Sequence, residues 1–197
     1  VTNRARLERE LVRDGLEDLG TITLGTTLVA GDPAELAVAG PVPTSGVAGW
    51  HGVAVKPGAW RLFGRPTDDG EALTEVIFVH EQALPAFWDL YDDAAPVAAF
   101  LLPTGRVLVV DGARRSDASL LQAAAEPDDL PWLLDDGIVL QGLDQHPAHV
   151  WTPQSRPGGG PVASLVAVAL DAAPAARATT SPFTSSDRDG DADRDGD

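Results

Sequence analysis

The stretch Pro96–Gly112, PVAAFLLPTGRVLVVDG, decides how the rest of the chain is read. Two apolar arms, Val97–Leu102 and Arg106–Val110, flank the tight turn Pro103-Thr104-Gly105. Pro presets φ at the entrance of such a turn, and Gly accepts the positive φ at its exit. Both arms are apolar almost throughout, which predicts a central hairpin covered on both faces. Asp111-Gly112 ends the second arm.

The same punctuation recurs on either side. Trp50–Val55 and Trp60–Arg65 flank Lys56-Pro57-Gly58, the pattern of a second hairpin with a type II turn. Thr21–Ala30 is rich in β-formers, with Gly25 as a bend. Ala34–Gly49 is read as an irregular connection with one short extended piece around Leu36–Val38. Leu73–His80, Ile138–Gly142, Ala148–Thr152 and Val162–Leu170 complete the strands, and Leu130–Leu134 is ambiguous, with one helical turn as a reading. Helices are expected from Asn3 to Gly15 or Leu19, around Phe87–Tyr91 after Pro85, and over Asp117–Glu126 with Ser116 as cap. The fold class that follows is α+β and mainly antiparallel β, a sandwich or partly open barrel with two or three peripheral helices. Residues 1–20 form the N-terminal helix packed on the domain, 21–171 the β-rich globular domain, and 172–197 a disordered acidic tail, too poor in apolar side chains to offset ordering entropy.

With 14 Lys+Arg against 30 Asp+Glu, the formal net charge is −16. A surface that negative repels phosphate backbones and anionic lipid, so neither nucleic acid nor a membrane is expected as partner. The same field attracts a basic protein. Lys56 is the single lysine, and the wealth of Ala, Gly, Pro and Asp fits GC-rich coding, with a halophilic host as the alternative. Val1 reads as a literal GTG start, the expectation being a chain complete at its N-terminus. The absence of Cys excludes disulfides and thiolate chemistry. No apolar run reaches the ~18 residues a membrane span needs, and the charged N-terminus lacks a signal-peptide core. A cytoplasmic protein without a resident cofactor is expected.

Three constellations bear on chemistry. Asp144, His146 and His149 lie close enough in sequence, around Pro147, to converge on one divalent metal if a turn brings both rings to one side; on a regular strand the rings face opposite ways. His51 and His80, with Glu81, make a base–carboxylate pair if their strands are neighbours. Asp191, Asp193 and Asp195, followed by Gly196, repeat the opening of a calcium loop without its closing Glu. Against these stand plainer readings: a solvated turn, histidines satisfied by backbone groups, and an acidic tail with six Asp against two Arg over Asp187–Asp197. The doubled aspartates Asp68-Asp69, Asp92-Asp93, Asp128-Asp129 and Asp135-Asp136 each lie near a Gly or Pro and read as turn punctuation. No G-x-S-x-G or S-x-x-K motif is present, and Gly158-Gly159-Gly160 reads as a flexible loop. Trp50, Trp60 and Trp151 fall at strand ends, where a surface cluster of them would make an interaction hot spot.

Leu24-Gly25-Thr26 leading to Asp32-Pro33, then Pro57-Gly58-Ala59-Trp60 and Val109-Val110-Asp111-Gly112, resemble a family of β-rich bacterial domains of unknown function found in toxin–immunity gene neighbourhoods. The charge balance points to an acidic binding module that captures a basic partner, and the resemblance implies an inhibitor of the immunity type. The alternatives are a metal-dependent or acid/base enzyme built on Asp144, His146 and His149, and a structural or accessory domain without a site.

Overall fold

The computed structural model describes residues 10–11, 14–38, 49–127, 129–143, 147–154 and 162–170. Among the described residues eleven strands form two antiparallel sheets. The six-stranded sheet runs β1(Glu17–Leu24), β4(Gly58–Pro66), β5(Leu73–His80), β11(Leu165–Ala169), β10(Ala148–Pro153), β6(Ala94–Phe100). The five-stranded sheet runs β3(Trp50–Ala54), β2(Thr27–Gly31), β7(Arg106–Asp111), β9(Gly137–Gln141), β8(Trp132–Leu134). Among the described residues every pairing between these strands is antiparallel, and an isolated bridge between Val55 and Ala163 is parallel. The fold is the expected mainly antiparallel class, resolved as a sandwich whose sheets do not close into a barrel.

Alternation along each strand divides the apolar side chains between three layers. Ile22, Leu28, Trp60, Phe78, Val109, Val150 and Val168 meet between the sheets. The outer face of the six-stranded sheet carries Phe63, Ile77, Val79 and Leu165. Helix α2(Phe87–Asp92) covers that face with Phe87, Leu90 and Tyr91. The outer face of the five-stranded sheet presents Val29, Leu108, Val110 and Val139. There α1(Pro33–Val38) contributes Leu36, and α3(Ala118–Ala125) contributes Leu120, Leu121 and Ala124. The result is helix on sheet on sheet on helix. The uninterrupted apolar run of β7 follows from it: Val107 and Val109 point between the sheets, and Leu108 and Val110 point under the helices.

Neither expected hairpin forms. β6 and β7 belong to different sheets, and Pro103–Gly105 is an arch that carries the chain across the sandwich. β7 is central and covered on both faces as expected, but β6 is an edge strand with Val97 47% exposed. Likewise β3 and β4 lie in opposite sheets, and Lys56-Pro57-Gly58 is a second arch. A tight Pro–Gly turn reverses the chain in both cases. What decides between hairpin and arch is which neighbours claim each strand afterwards: β2 and β9 flank β7, while β10 takes β6.

Both arches are held by side chains from elsewhere. Asp32, buried, accepts from the Thr104 amide and hydroxyl (2.8 Å each) and from the Ala34 amide (2.9 Å). At the other arch the Trp60 indole donates to Lys56 O (2.9 Å), and His80 Nε2 lies 3.2 Å from Pro57 O. Gly58, at φ +130°, allows that approach, since a Cβ there would stand 3.1 Å from His80 Nε2.

Other expectations need correction. The N-terminal helix does not reach Leu19: Gly15 turns the chain at φ +73° and β1 begins at Glu17. The piece around Leu36–Val38 is helical, because Asp32 caps the amide of Ala34 and Pro33 opens the first turn. The cap of α3 is Asp117 rather than Ser116; it accepts from the Ser119 and Leu120 amides. The bond from Leu120, with Arg114 alongside, holds the Asp117 carboxyl below the usual range. Leu130–Leu134 contains the strand β8 and no helical turn. Thr67–Gly70 and Asp135-Asp136 are the turns they were expected to be, joining β4 to β5 and β8 to β9. The start of the N-terminal helix and the tail 172–197 lie outside the described residues.

Candidate functional site

The two arches separate the residues on which chemistry was expected to converge. His51 lies on β3 in the five-stranded sheet and His80 on β5 in the six-stranded one, so their strands are not neighbours. His80 is buried, and its ring meets Trp60 edge-to-face at 5.5 Å. Its Nδ1 accepts from the Gln82 amide (3.2 Å), which leaves the proton on Nε2 for Pro57 O. One ring nitrogen therefore serves the β3–β4 arch, and the other caps the 3-10 turn Glu81–Ala86. Glu81, exposed, begins the 3-10 turn Glu81–Ala86. His51 is half-buried on the same side of β3 as Val53, and burial pushes its imidazole below the ordinary value of 6.5. No base–carboxylate pair of His51, His80 and Glu81 is assembled.

Of the proposed metal ligands, His149 is described. It lies on β10 opposite Ala169 and Ala99, half-buried, on the face that also carries Trp151. Asp144 and His146 lie outside the described residues, as do Asp191, Asp193 and Asp195. Among the described residues no three His, Asp or Glu side chains are grouped to hold a metal ion.

The tryptophans occupy three layers rather than one patch. Trp60 is fully buried between the sheets. Trp151 packs at the margin of the helix-covered face of the six-stranded sheet, and Trp50 is buried on the outer face of the five-stranded sheet. Strand ends at opposite faces cannot form one surface cluster, so Trp50, Trp60 and Trp151 are corrected to separate packing roles.

A site that the sequence motifs do not point to lies beside Trp50. The Arg115 guanidinium stands 5.2 Å above the Trp50 ring. This is a cation–π distance. Both residues line a groove of about 730 Å³ on the outer face of the five-stranded sheet, with Gly25, Thr27, Gly52 and Asp111 among its walls. Asp111 is committed to the fold. One oxygen accepts from the Gly25 amide, and the other accepts from the Ala113 amide (2.8 Å) to cap the 3-10 turn Gly112–Arg114. A smaller groove of about 390 Å³ runs along α3 between Ala123, Glu126, Asp129 and Trp132.

Charge is distributed unevenly between paired and unpaired groups. Arg61 pairs with Asp18, Arg65 with Glu75, and Arg114 with both Asp117 and Asp136 at 3.0 Å. Glu35, Asp68, Glu71, Glu81, Asp89, Asp92, Glu126 and Asp129 are exposed, and among the described residues they have no ion-pair partner. Glu81, Asp89 and Asp92 share the cover of the six-stranded sheet, on the 3-10 turn and α2. Among the described residues no helix is long and apolar enough to cross a membrane. Compared with family models, with curated proteins and with solved structures, the chain matches none.

Proposed function

We propose that this chain is a binding module that captures a positively charged protein, in the manner of an immunity-type inhibitor. One observation carries the reading: the described arginines that face carboxylates are tied to them within the fold, so the excess of acid points outward. The 3-10 turn Glu81–Ala86 and α2 bring three of those carboxylates, Glu81, Asp89 and Asp92, to one cover of the sandwich. An array of one sign steers an oppositely charged partner and selects against partners of like charge. The cover of the six-stranded sheet, with Glu81, Asp89 and Asp92, is the part of the surface we assign to first contact.

The test uses the full chain, tagged and presented to an extract of its host, with the retained protein identified and its affinity measured against salt. A basic partner is expected. Its dissociation constant should rise steeply between about 50 and 300 mM salt, because exposed charges are screened over about 10 Å at 0.1 M. Reversing Glu81, Asp89 and Asp92 together to Lys should weaken the complex at least about tenfold, mainly through slower association. Recovery of no partner, or a complex indifferent to both salt and charge reversal, contradicts the reading.

A further inference from the structure

We propose that the groove beside Trp50 binds a small organic anion, with Arg115 holding its acidic group and the β2–β3 face bedding a flat apolar body. The inference is independent of the protein-capture reading and concerns the opposite face of the sandwich. A volume of about 730 Å³ falls within the range that accommodates small ligands. Helices α1 and α3 cover Leu108, Val110 and Val139, and the groove opens on the neighbouring corner of the sheet, over β2 and β3.

The floor is kept low by Gly52. A Cβ built there would meet Trp50 Cζ3 at 3.7 Å, Thr27 Cγ2 at 3.9 Å and Val29 Cγ2 at 4.0 Å, which are ordinary contacts. Nothing forbids a side chain at this position sterically, and the glycine leaves a shallow apolar bed between those three residues. The charge comes from Arg115. Arg61, Arg65 and Arg114 are each paired with a carboxylate, whereas Arg115 has no ion pair or side-chain hydrogen bond among the described residues. Asp111, the carboxylate that shares the groove, already accepts from two backbone amides. The cation–π contact holds the guanidinium over the indole and uses none of its N–H donors. Those donors match a carboxylate or sulfonate as a two-bond fork. In a chain of net charge −16 an anion would be repelled without such a group.

The probe is naphthalene-2-carboxylate, titrated into the full chain and followed by the indole N–H resonances, with 2-naphthamide as its uncharged counterpart. Saturable binding that shifts the Trp50 indole and leaves that of buried Trp60 in place is expected. Arg115→Gln should weaken the carboxylate at least about tenfold and leave the amide unchanged. Gly52→Leu should abolish binding of both by filling the bed; its thermal midpoint is compared with wild type, and Arg115→Gln, a surface change, decides the matter if Gly52→Leu unfolds. Equal affinity in wild type and Arg115→Gln, a shift centred on another indole, or no saturation at about 10 mM, the millimolar limit of useful affinity, overturns the proposal.

Discussion

Replacing Asp32 with Ala is expected to lower the free energy of unfolding by about 3 kcal/mol, because it removes a buried acceptor and leaves three part-buried donors without it. The carboxylate is fully buried and accepts three hydrogen bonds, from Ala34 N, Thr104 N and Thr104 Oγ1. Two of these tie the β6–β7 arch to the start of α1, 72 residues away in sequence. The third caps α1 itself. Their loss therefore loosens an arch between the sheets and a helix that covers one of them. Asp32→Asn keeps one acceptor oxygen and should lose roughly half as much. Urea unfolding midpoints of the three proteins check this order. An unfolding free energy of Asp32→Ala within about 0.5 kcal/mol of wild type, the range of an unremarkable surface change, would show that the arch is not held here.

The second large effect is expected at Gly137. A Cβ on this residue would lie 2.3 Å from Val109 O and 2.8 Å from Val110 Cα, both backbone atoms of the central strand β7. Neither can move aside alone, since Val109 and Val110 are buried on opposite faces of the sheet. Gly137→Ala must instead push β9 away from β7, against the pairing Val110↔Gly137 and the bond from Asp111 N to Asp136 O (2.9 Å). A loss of about 3 kcal/mol or more is expected, at the upper end of overpacking costs. Gly70→Ala separates this from a purely conformational penalty. Gly70 has φ +73° and nothing within 4 Å of a built Cβ. Its replacement should cost only about 1 kcal/mol, the strain of a left-handed residue. Thermal unfolding of both variants tests the contrast, and equal losses would refute the steric account of Gly137.

What could be read from the chain alone was local. The turns at Thr67–Gly70 and Asp135-Asp136 follow from residues whose own backbone chemistry demands them, and the doubled aspartates there serve the turns. The apolar run of β7 announces a strand buried on both faces, which it is. What was not legible is the partner of each strand. Pro103–Gly105 and Pro57–Gly58 reverse the chain whether it returns to the same sheet or crosses to the other. The choice rests on contacts as distant as Asp32 with Thr104 and His80 with Pro57. Helix α1 was missed for a related reason. Its six residues carry little helical signal, and the Asp32 carboxylate that caps it is itself fixed by the distant arch.

The same gap explains the candidate sites. Histidines and tryptophans at strand ends read as neighbours if successive strands are assumed to pair. Once the arches place β3 and β4 in opposite sheets, His51 parts from His80 and Trp50 from Trp60. Arg115 over Trp50, conversely, joins residues 65 positions apart, and no spacing in the sequence signals it.

Cross-strand nuclear Overhauser contacts of β7 test the placement of the arches most directly. The architecture predicts Val109 opposite Ala30 on one side and Ile138 on the other, with Ala98 opposite Val150 in the other sheet. Contacts placing Phe100 opposite Leu108 across Pro103–Gly105 would restore a hairpin. They would bring β6 and β7 into one sheet and contradict both the four-layer sandwich and the dispersal of the candidate residues that follows from it.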